Sequence, residues 1–278
     1  MLRKSFVLLP LAVVMAASAG QAWAIDEALY KRIQIQCGYM LEAGPAVQAE
    51  MAAMGDAGQR AFLEIAQSAR YPDWIRCCAI QWLDRTRMSE ALPLVRSIAL
   101  DAKAPSAMRQ SALEWLCVGN RDDLPFDVFA QALNTQDCDV MQTALRALER
   151  ARDTPEARAR ASEAVRNLLQ SGNYPKECFL SIVGTLGMLA DEKAIPLLAR
   201  AGASASEYER LNVIQALCQI GGKEGRAAAF DLYQGMQDAR RKEVARKSMV
   251  EHLTWVMKSR KDAGEMEEVT ALLEKLKS

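Results

Sequence analysis

The chain has 278 residues, with 35 basic and 35 acidic side chains, so its formal net charge at pH 7 is zero. This balance argues against a nucleic-acid-binding protein, because contacts to phosphates require a strongly basic surface. Half of the residues are apolar and only 6% are aromatic. The prevalence of Ala, Leu, Arg and Glu favours helices throughout.

Residues 1–24 have the pattern of a secretory signal peptide. The segment contains, in this order, two basic residues, an almost unbroken apolar run over 6–17, and the small-x-small site Ala-Trp-Ala at 22–24. The run is shorter than the roughly 18 residues of a membrane span, which disfavours the alternative of a retained membrane helix. We therefore expect a mature protein that begins near Ile25, is periplasmic or secreted, and has no stable membrane insertion.

Residues 25–70 resemble an irregular first hairpin, interrupted by Gly44-Pro45 and by Gly55. Such breaks are typical of a terminal unit that shields the first hydrophobic surface of a stack. We expect this segment to be an N-terminal cap, and residues 25–278 to form one continuous domain.

One helical signature then recurs six times over residues 72–278, at intervals of 31 to 38 residues. The anchor of each unit, called position zero, is Arg76, Arg109, Met141, Phe179, Arg210 or Arg246. An apolar residue stands at position three and a leucine at position seven: Leu83, Leu116, Leu148, Leu186, Leu217 and Leu253. These positions share one face of a helix, and a period of this length is typical of a helical solenoid.

Each unit is predicted to be a hairpin of two helices. In the first unit Pro72-Asp73 begins the first helix, because proline suits a first helical turn and aspartate can cap its amides. That helix is expected to reach about Arg85 and to be followed by a turn over 86–89. The predicted second helices are 90–101, 124–134, 156–170, 192–203, 224–237 and 265–276. Gly187, Gly221-Gly222 and Gly264 are expected in or near turns.

Two stretches carry a resemblance to a known family. The first stretch contains Ile75-Arg76-x-x-Ala79-x-x-x-Leu83, followed by Glu-Ala-Leu-Pro-Leu-Val at 90–95. The second contains Gly-Thr-Leu-Gly at 184–187, followed by Asp-Glu-Lys-Ala-Ile-Pro-Leu-Leu at 191–198. The repeats are similar to HEAT repeats of the short bacterial, phycobilisome-lyase-like type. Tetratricopeptide repeats are the alternative, but their Trp-Leu-Gly-Tyr-Ala-Pro spacing is absent. Met141 and Phe179 depart from the basic residue usual at position zero.

The resemblance implies an all-α fold, a right-handed α-solenoid whose second helices line the concave face. The resemblance says little about function, because the family includes scaffolds, adaptors and a few enzymes. We expect a non-catalytic scaffold or adaptor that binds another protein. The candidate partner-binding residues on the concave face are Arg96, Gln131, Arg158, Arg166, Arg200 and Gln234. The alternative function is a carbohydrate- or peptidoglycan-associated protein, with or without lytic activity.

Catalysis, cofactors and metals are not predicted. His252 is the single histidine, which excludes multi-histidine metal sites, and it shares position six with Trp82 and Trp115, which suggests packing on the helix flank. The many carboxylates show no distinctive spacing for glycoside hydrolysis. For sugar binding the best placed aromatic residues are Tyr71, Trp74 and Tyr174, although packing at helix starts is the favoured role for them.

Seven cysteines are present and none forms a Cys-x-x-Cys pair, so neither a thioredoxin-like site nor a zinc site is indicated. Cys138 and Cys178 stand near the same end of consecutive first helices, and this register predicts a disulfide, with two reduced packing residues as the alternative. Cys37 could pair with Cys77 or Cys78. The remaining two cysteines, Cys117 and Cys218, lie in non-adjacent repeats and are expected to be buried free thiols.

Overall fold

The computed structural model of the protein describes residues 53, 55–84, 90–118, 125–259 and 263–277. All of them belong to the compact unit Gly44–Ser278. The predicted signal peptide lies outside the described residues, and so does Cys37. The α-helices, in chain order, are α1 Gly55–Gln67, α2 Asp73–Trp82, α3 Ala91–Leu100, α4 Ser106–Cys117, α5 Phe126–Ala132, α6 Cys138–Glu149, α7 Pro155–Ser171, α8 Phe179–Met188, α9 Ile195–Ser204, α10 Glu207–Ile220, α11 Gly222–Gln234, α12 Ala239–Ser259 and α13 Ala263–Lys277.

The described residues form an all-α helical repeat fold without a strand. The even-numbered helices from α2 to α12 are the first helices of the six hairpins, and the odd-numbered helices from α3 to α13 are the second helices. Each first helix packs on the first helix of the next hairpin, and the second helices pack in the same way in the pairs α3–α5, α5–α7, α7–α9 and α9–α11. Helix α1 packs on α2. Each hairpin therefore buries its apolar surface against its neighbours in the chain.

The predicted second helices are confirmed, with ends that differ from the expected ones by at most three residues. The largest shift at a start is in α9, because a short 3-10 turn, Glu192–Ala194, precedes it. Helix α2 is shorter than expected and ends at Trp82, after which Leu83 adopts an extended backbone. The turn predicted for 86–89 lies outside the described residues.

The core confirms the register of the repeat. All six leucines at position seven are buried, and none exposes more than the 7% of Leu116. The residues at position three are buried as well: Ala79, Ala112, Ala144, Ile182, Val213 and Met249. Both positions face neighbouring helices, as the spacing of three and seven residues along one helical face requires.

The arginines at position zero cap the carboxyl ends of neighbouring odd-numbered helices. Arg76 Nε donates to the carbonyl oxygen of Ala66 in α1 at 3.3 Å, and Arg109 Nε donates to that of Ala99 in α3 at 3.5 Å. Arg210 Nε donates to Gly202 in α9 at 3.1 Å. The last carbonyls of a helix have no partner within it, so a basic side chain there supplies hydrogen bonds and a favourable charge.

Repeats three and four lack this arginine. Met141 and Phe179 are buried apolar residues at position zero, and neither can donate to a carbonyl. Helix α7, which precedes Phe179, ends instead at Gly172, where a φ of 66° gives the left-handed cap that glycine favours. At the start of these two first helices Cys138 and Cys178 lie at disulfide distance, with their Cα atoms 5.8 Å apart.

Gly187 was expected in or near a turn, and it is the last residue but one of α8, which ends at Met188. A Cβ atom at this position would stand 2.5 Å from Oε1 of Gln219 and 3.0 Å from the Cα atom of Ala216. The glycine thus permits the close approach of α8 to α10. Gly221, which was also expected in or near a turn, stands between α10 and α11 and has a φ of 75°.

Candidate functional site

The six residues predicted to bind a partner all lie on second helices, distributed over α3, α5, α7, α9 and α11. Four of them are exposed: Gln131, Arg158, Arg200 and Gln234. The other two, Arg96 and Arg166, are half-buried.

Arg96 and Arg166 join successive hairpins. Arg96 lies 2.9 Å from a carboxylate oxygen of Asp127 in α5, and Arg166 in α7 lies 2.7 Å from one of Asp191. Asp191 also accepts a hydrogen bond from the backbone of Lys193, at the start of the next second helix. The charges of these two arginines are therefore partnered by carboxylates of the next hairpin, which makes them contacts between hairpins.

A groove of about 400 Å³ lies between α5 and α7 on the surface of the second helices. We call it the second-helix groove. Its polar lining residues are Asn134, Arg160, Glu163, Asn167 and Ser171, all exposed, and its apolar ones are Ala130, Leu133, Ala164 and Leu168. Donors, acceptors and both signs of charge thus surround an apolar floor.

The sequence places the α7 side of this groove on a single stripe. Residues 160, 163, 164, 167 and 171 follow one another at the spacing of one helical face. None of the predicted partner-binding residues lines the groove, although Gln131 directly follows Ala130 and Arg158 stands two residues before Arg160. A helical projection of the predicted helix 156–170 would have revealed the stripe, but not that α5 forms the opposite wall.

A second groove, of about 250 Å³, lies on the surface of the first helices between α6 and α8, with Gln219 of α10 at its edge. A Cβ atom at Gly184 would meet no atom within 4 Å, so the glycine leaves space there. Two polar groups of this groove already bond to each other, since the Thr185 hydroxyl donates to Glu149 at 2.8 Å. This groove therefore presents fewer unoccupied polar groups than the second-helix groove.

Aromatic residues considered for sugar binding are not brought together. Tyr71 and Trp74 stand at the first hairpin and Tyr174 before the fourth. Trp74 is 45% exposed, so it does not pack closely at a helix start as expected. Burial raises the pKa of Tyr174, and the nearby Glu209 carboxylate raises it further.

Position six has a structural role in the second hairpin. The indole of Trp115 is buried and its Nε1 donates to the carbonyl oxygen of Leu83 at 2.9 Å, at the end of the preceding first helix. His252 occupies the same position in α12, where its ring lies 6.2 Å from that of Trp255. Within the described part of the chain, no three metal-ligating side chains cluster.

The other cysteines differ in their surroundings. Cys77 is a free, half-buried thiol. Its pKa is raised, because burial has a larger effect than the opposing hydrogen bond with Ser111. Cys78 and Cys218 are buried. Cys117, expected to be buried, is half-buried. The pairing of Cys37 with Cys77 or Cys78 stays a prediction, because Cys37 lies outside the described residues.

No protein-family model matches the chain, and no curated protein matches it. Among solved structures it is similar to the crystal structure of an engineered protein from a structural genomics consortium, with 17% sequence identity and a TM-score of 0.47. The similarity covers 91% of this chain and 81% of the engineered one. A likeness of this degree carries no functional argument. Across the described segments, none of the helices combines the length and apolar character needed to cross a membrane.

Proposed function

We propose that the chain is a non-catalytic, exported scaffold of HEAT-like hairpins that binds another protein along its second helices. The observation that carries the proposal is the second-helix groove. Export is supported by the amino-terminal sequence pattern, and the HEAT-like identity by the repeat motifs.

The chemistry of the groove suits a protein segment. The amide side chains of Asn134 and Asn167 each offer a donor and an acceptor, which is the complement of a peptide group. Arg160 and Glu163 add charges of both signs. Leu133 and Leu168 supply an apolar floor for a side chain of the partner. Because the groove is open along the surface, it favours a segment laid across it over a small ligand enclosed within it.

Site-specific photo-crosslinking in the exported protein tests this proposal. A photoreactive residue at Ala164 or Asn167 should give a discrete protein adduct, while one at the exposed Lys223 of α11 should give none. Replacing both Asn134 and Asn167 by Ala should weaken the adduct formed from position 164 several-fold. Equal labelling from all three positions, or no adduct at all, would contradict partner binding in the groove.

Incubation with purified murein separates the scaffold from the peptidoglycan-degrading alternative. The scaffold should release no soluble fragments, and His252→Gln should leave the adduct from position 164 unchanged. Fragment release by the pure protein, abolished by one Glu or Asp substitution, would show that the chain is an enzyme.

A further inference from the structure

The last first helix, α12, presents a line of exposed residues along its whole length. Counted from Arg240 they recur at intervals of 4, 3, 4, 4 and 3 residues, so they share one narrow face of the helix. The line, which we call the α12 ridge, consists of Arg240, Val244, Lys247, Glu251, Trp255 and Lys258. Its ends are about 27 Å apart, from the rise per residue of a helix.

Little of the stack covers this ridge. Trp255 is 61% exposed and Val244 is 44% exposed, while the side chain of Lys247 is 68% exposed. The opposite face of α12 is the one that enters the core, through Ala245, Met249, Leu253 and Val256. Val244 and Trp255 stand at positions minus two and nine of the repeat. Other first helices expose a large apolar residue at one of these positions, whereas α12 exposes one at both.

The ridge also carries a local excess of positive charge. Helix α12 contains six basic and two acidic residues, in a chain whose basic and acidic residues are equal in number overall. Lys242 and Arg246 cap helix ends, since they donate to the carbonyl oxygens of Gln234 and Leu276. Arg240 has no such role in capping, and it stands in the first turn of α12, where a positive charge opposes the helix dipole. Its side chain is exposed, as are those of Lys258 and of Lys247, whose ammonium also lies 3.7 Å from the carboxylate of Glu243.

We propose that the α12 ridge adsorbs the protein to an anionic phospholipid surface. A flat surface can contact a straight, protruding ridge over its full length, whereas a protein partner would need a matching groove. Lysine and arginine side chains are attracted to anionic headgroups, and a tryptophan placed among them prefers the headgroup level. A second copy of the chain fits poorly, because two ridges in contact would oppose like charges. This adsorption does not depend on the second-helix groove and requires no inserted helix.

Vesicle sedimentation of the full chain as isolated from cells tests the proposal. Binding to vesicles of phosphatidylcholine with two-fifths phosphatidylglycerol should exceed binding to pure phosphatidylcholine, and should weaken as salt increases. The double variant Lys247→Glu/Lys258→Glu should bind at least about tenfold more weakly, because it removes two attractive charges and adds two repulsive ones. Trp255→Ala should weaken binding and abolish the blue shift of the tryptophan fluorescence that vesicles cause.

Matched controls keep the test specific. Lys193→Glu/Lys223→Glu changes the net charge by the same amount at exposed sites away from the ridge, and Trp74→Ala removes another exposed indole. Both controls should bind as wild type does, and equal thermal melts should show that all variants are folded. Equal binding to both kinds of vesicle, or equal loss in the controls, would overturn the proposal. So would a wild type that ignores vesicles but forms a ridge-dependent adduct with an acidic protein.

Discussion

Arg226 is the most buried charged side chain among the described residues, with 3% of its surface exposed. It lies in α11 and pairs with Glu265 at 2.9 Å and Glu268 at 3.2 Å in α13. Removing a buried cation leaves its carboxylate partners desolvated and uncompensated. We expect Arg226→Met to lower the free energy of unfolding by about 3 kcal/mol, measured by urea denaturation.

Arg241→Met is the matched control for this measurement. Arg241 also pairs with a carboxylate, that of Asp238, but its side chain is 45% exposed. Exposed ion pairs contribute less than about 1 kcal/mol. A loss of stability in Arg226→Met no greater than in Arg241→Met would mean that the buried pair does not hold the last hairpin in place.

The Cys218 thiol should be inert at neutral pH. Burial raises its pKa to about 12, and the nearby Arg226 guanidinium opposes this shift only in part. The folded chain keeps this proton up to about pH 12, whereas an unfolded thiol loses it near 9.0, so the stability contributed by the neutral thiol falls as the pH rises through that interval.

Native alkylation at pH 8 followed by mass spectrometry checks the prediction. Iodoacetamide reacts with the thiolate. In the folded protein Cys218 should therefore be labelled much more slowly than the half-buried Cys77, and it should be labelled fully only after denaturation. Labelling of both cysteines at the same rate in the native protein would show that α10 opens readily around Cys218.

At the level of the helices, the leucines at position seven should carry much of the stability. Leu148, Leu186 and Leu217 are almost completely buried, and truncation to Ala should cost about 2 to 5 kcal/mol each through lost transfer energy and a residual cavity. Thermal or urea unfolding of the three variants measures this cost. Leu92→Ala, at a leucine that is 40% exposed, is the control and should change stability by less than about 0.5 kcal/mol. Three variants as stable as wild type would contradict the repeat register.

The helices could be predicted well from the sequence because a single local period controls them. Positions three and seven of each first helix must both face the neighbours, so Leu186 and Ile182 are buried wherever the hairpin lies in the stack. The handedness of the solenoid is a prediction that stays open. Packing adds a requirement that the local pattern does not reveal: at Gly187, near the end of α8, the close approach of α10 leaves no room for a side chain.

The candidate site could be predicted less well, because it depends on which residues meet across hairpins. The sequence marks Arg96 and Arg166 as polar surface on second helices, but it does not reveal Asp127 and Asp191 as their partners. Likewise Asn134 and Asn167 line one groove only because α5 and α7 pack side by side. Long-range pairing of this kind has no local signature.

At the scale of the whole molecule, the first expectation concerns its compartment. The basic start, the apolar run and the Ala-Trp-Ala site predict cleavage after Ala24. Mass spectrometry of the protein exported by its cell should find a chain that begins at Ile25. A full-length product that fractionates with membranes as an integral protein would contradict the assignment.

The last expectation concerns the bond between the two central hairpins. Cys138 and Cys178 lie at disulfide distance, where Met141 and Phe179 replace the capping arginines of other repeats. A crosslink that closes a loop of this length should stabilise the fold by about 3 to 4 kcal/mol, because it restricts the unfolded chain. The double variant Cys138→Ala/Cys178→Ala should therefore unfold at a lower urea concentration than wild type, and reductant should lower the stability of wild type but not that of the variant.

Peptide mapping without reductant provides the direct evidence. The two cysteines should appear in one linked peptide, because a disulfide joins them. Alkylation of both in the folded, exported protein would show that they are reduced packing residues.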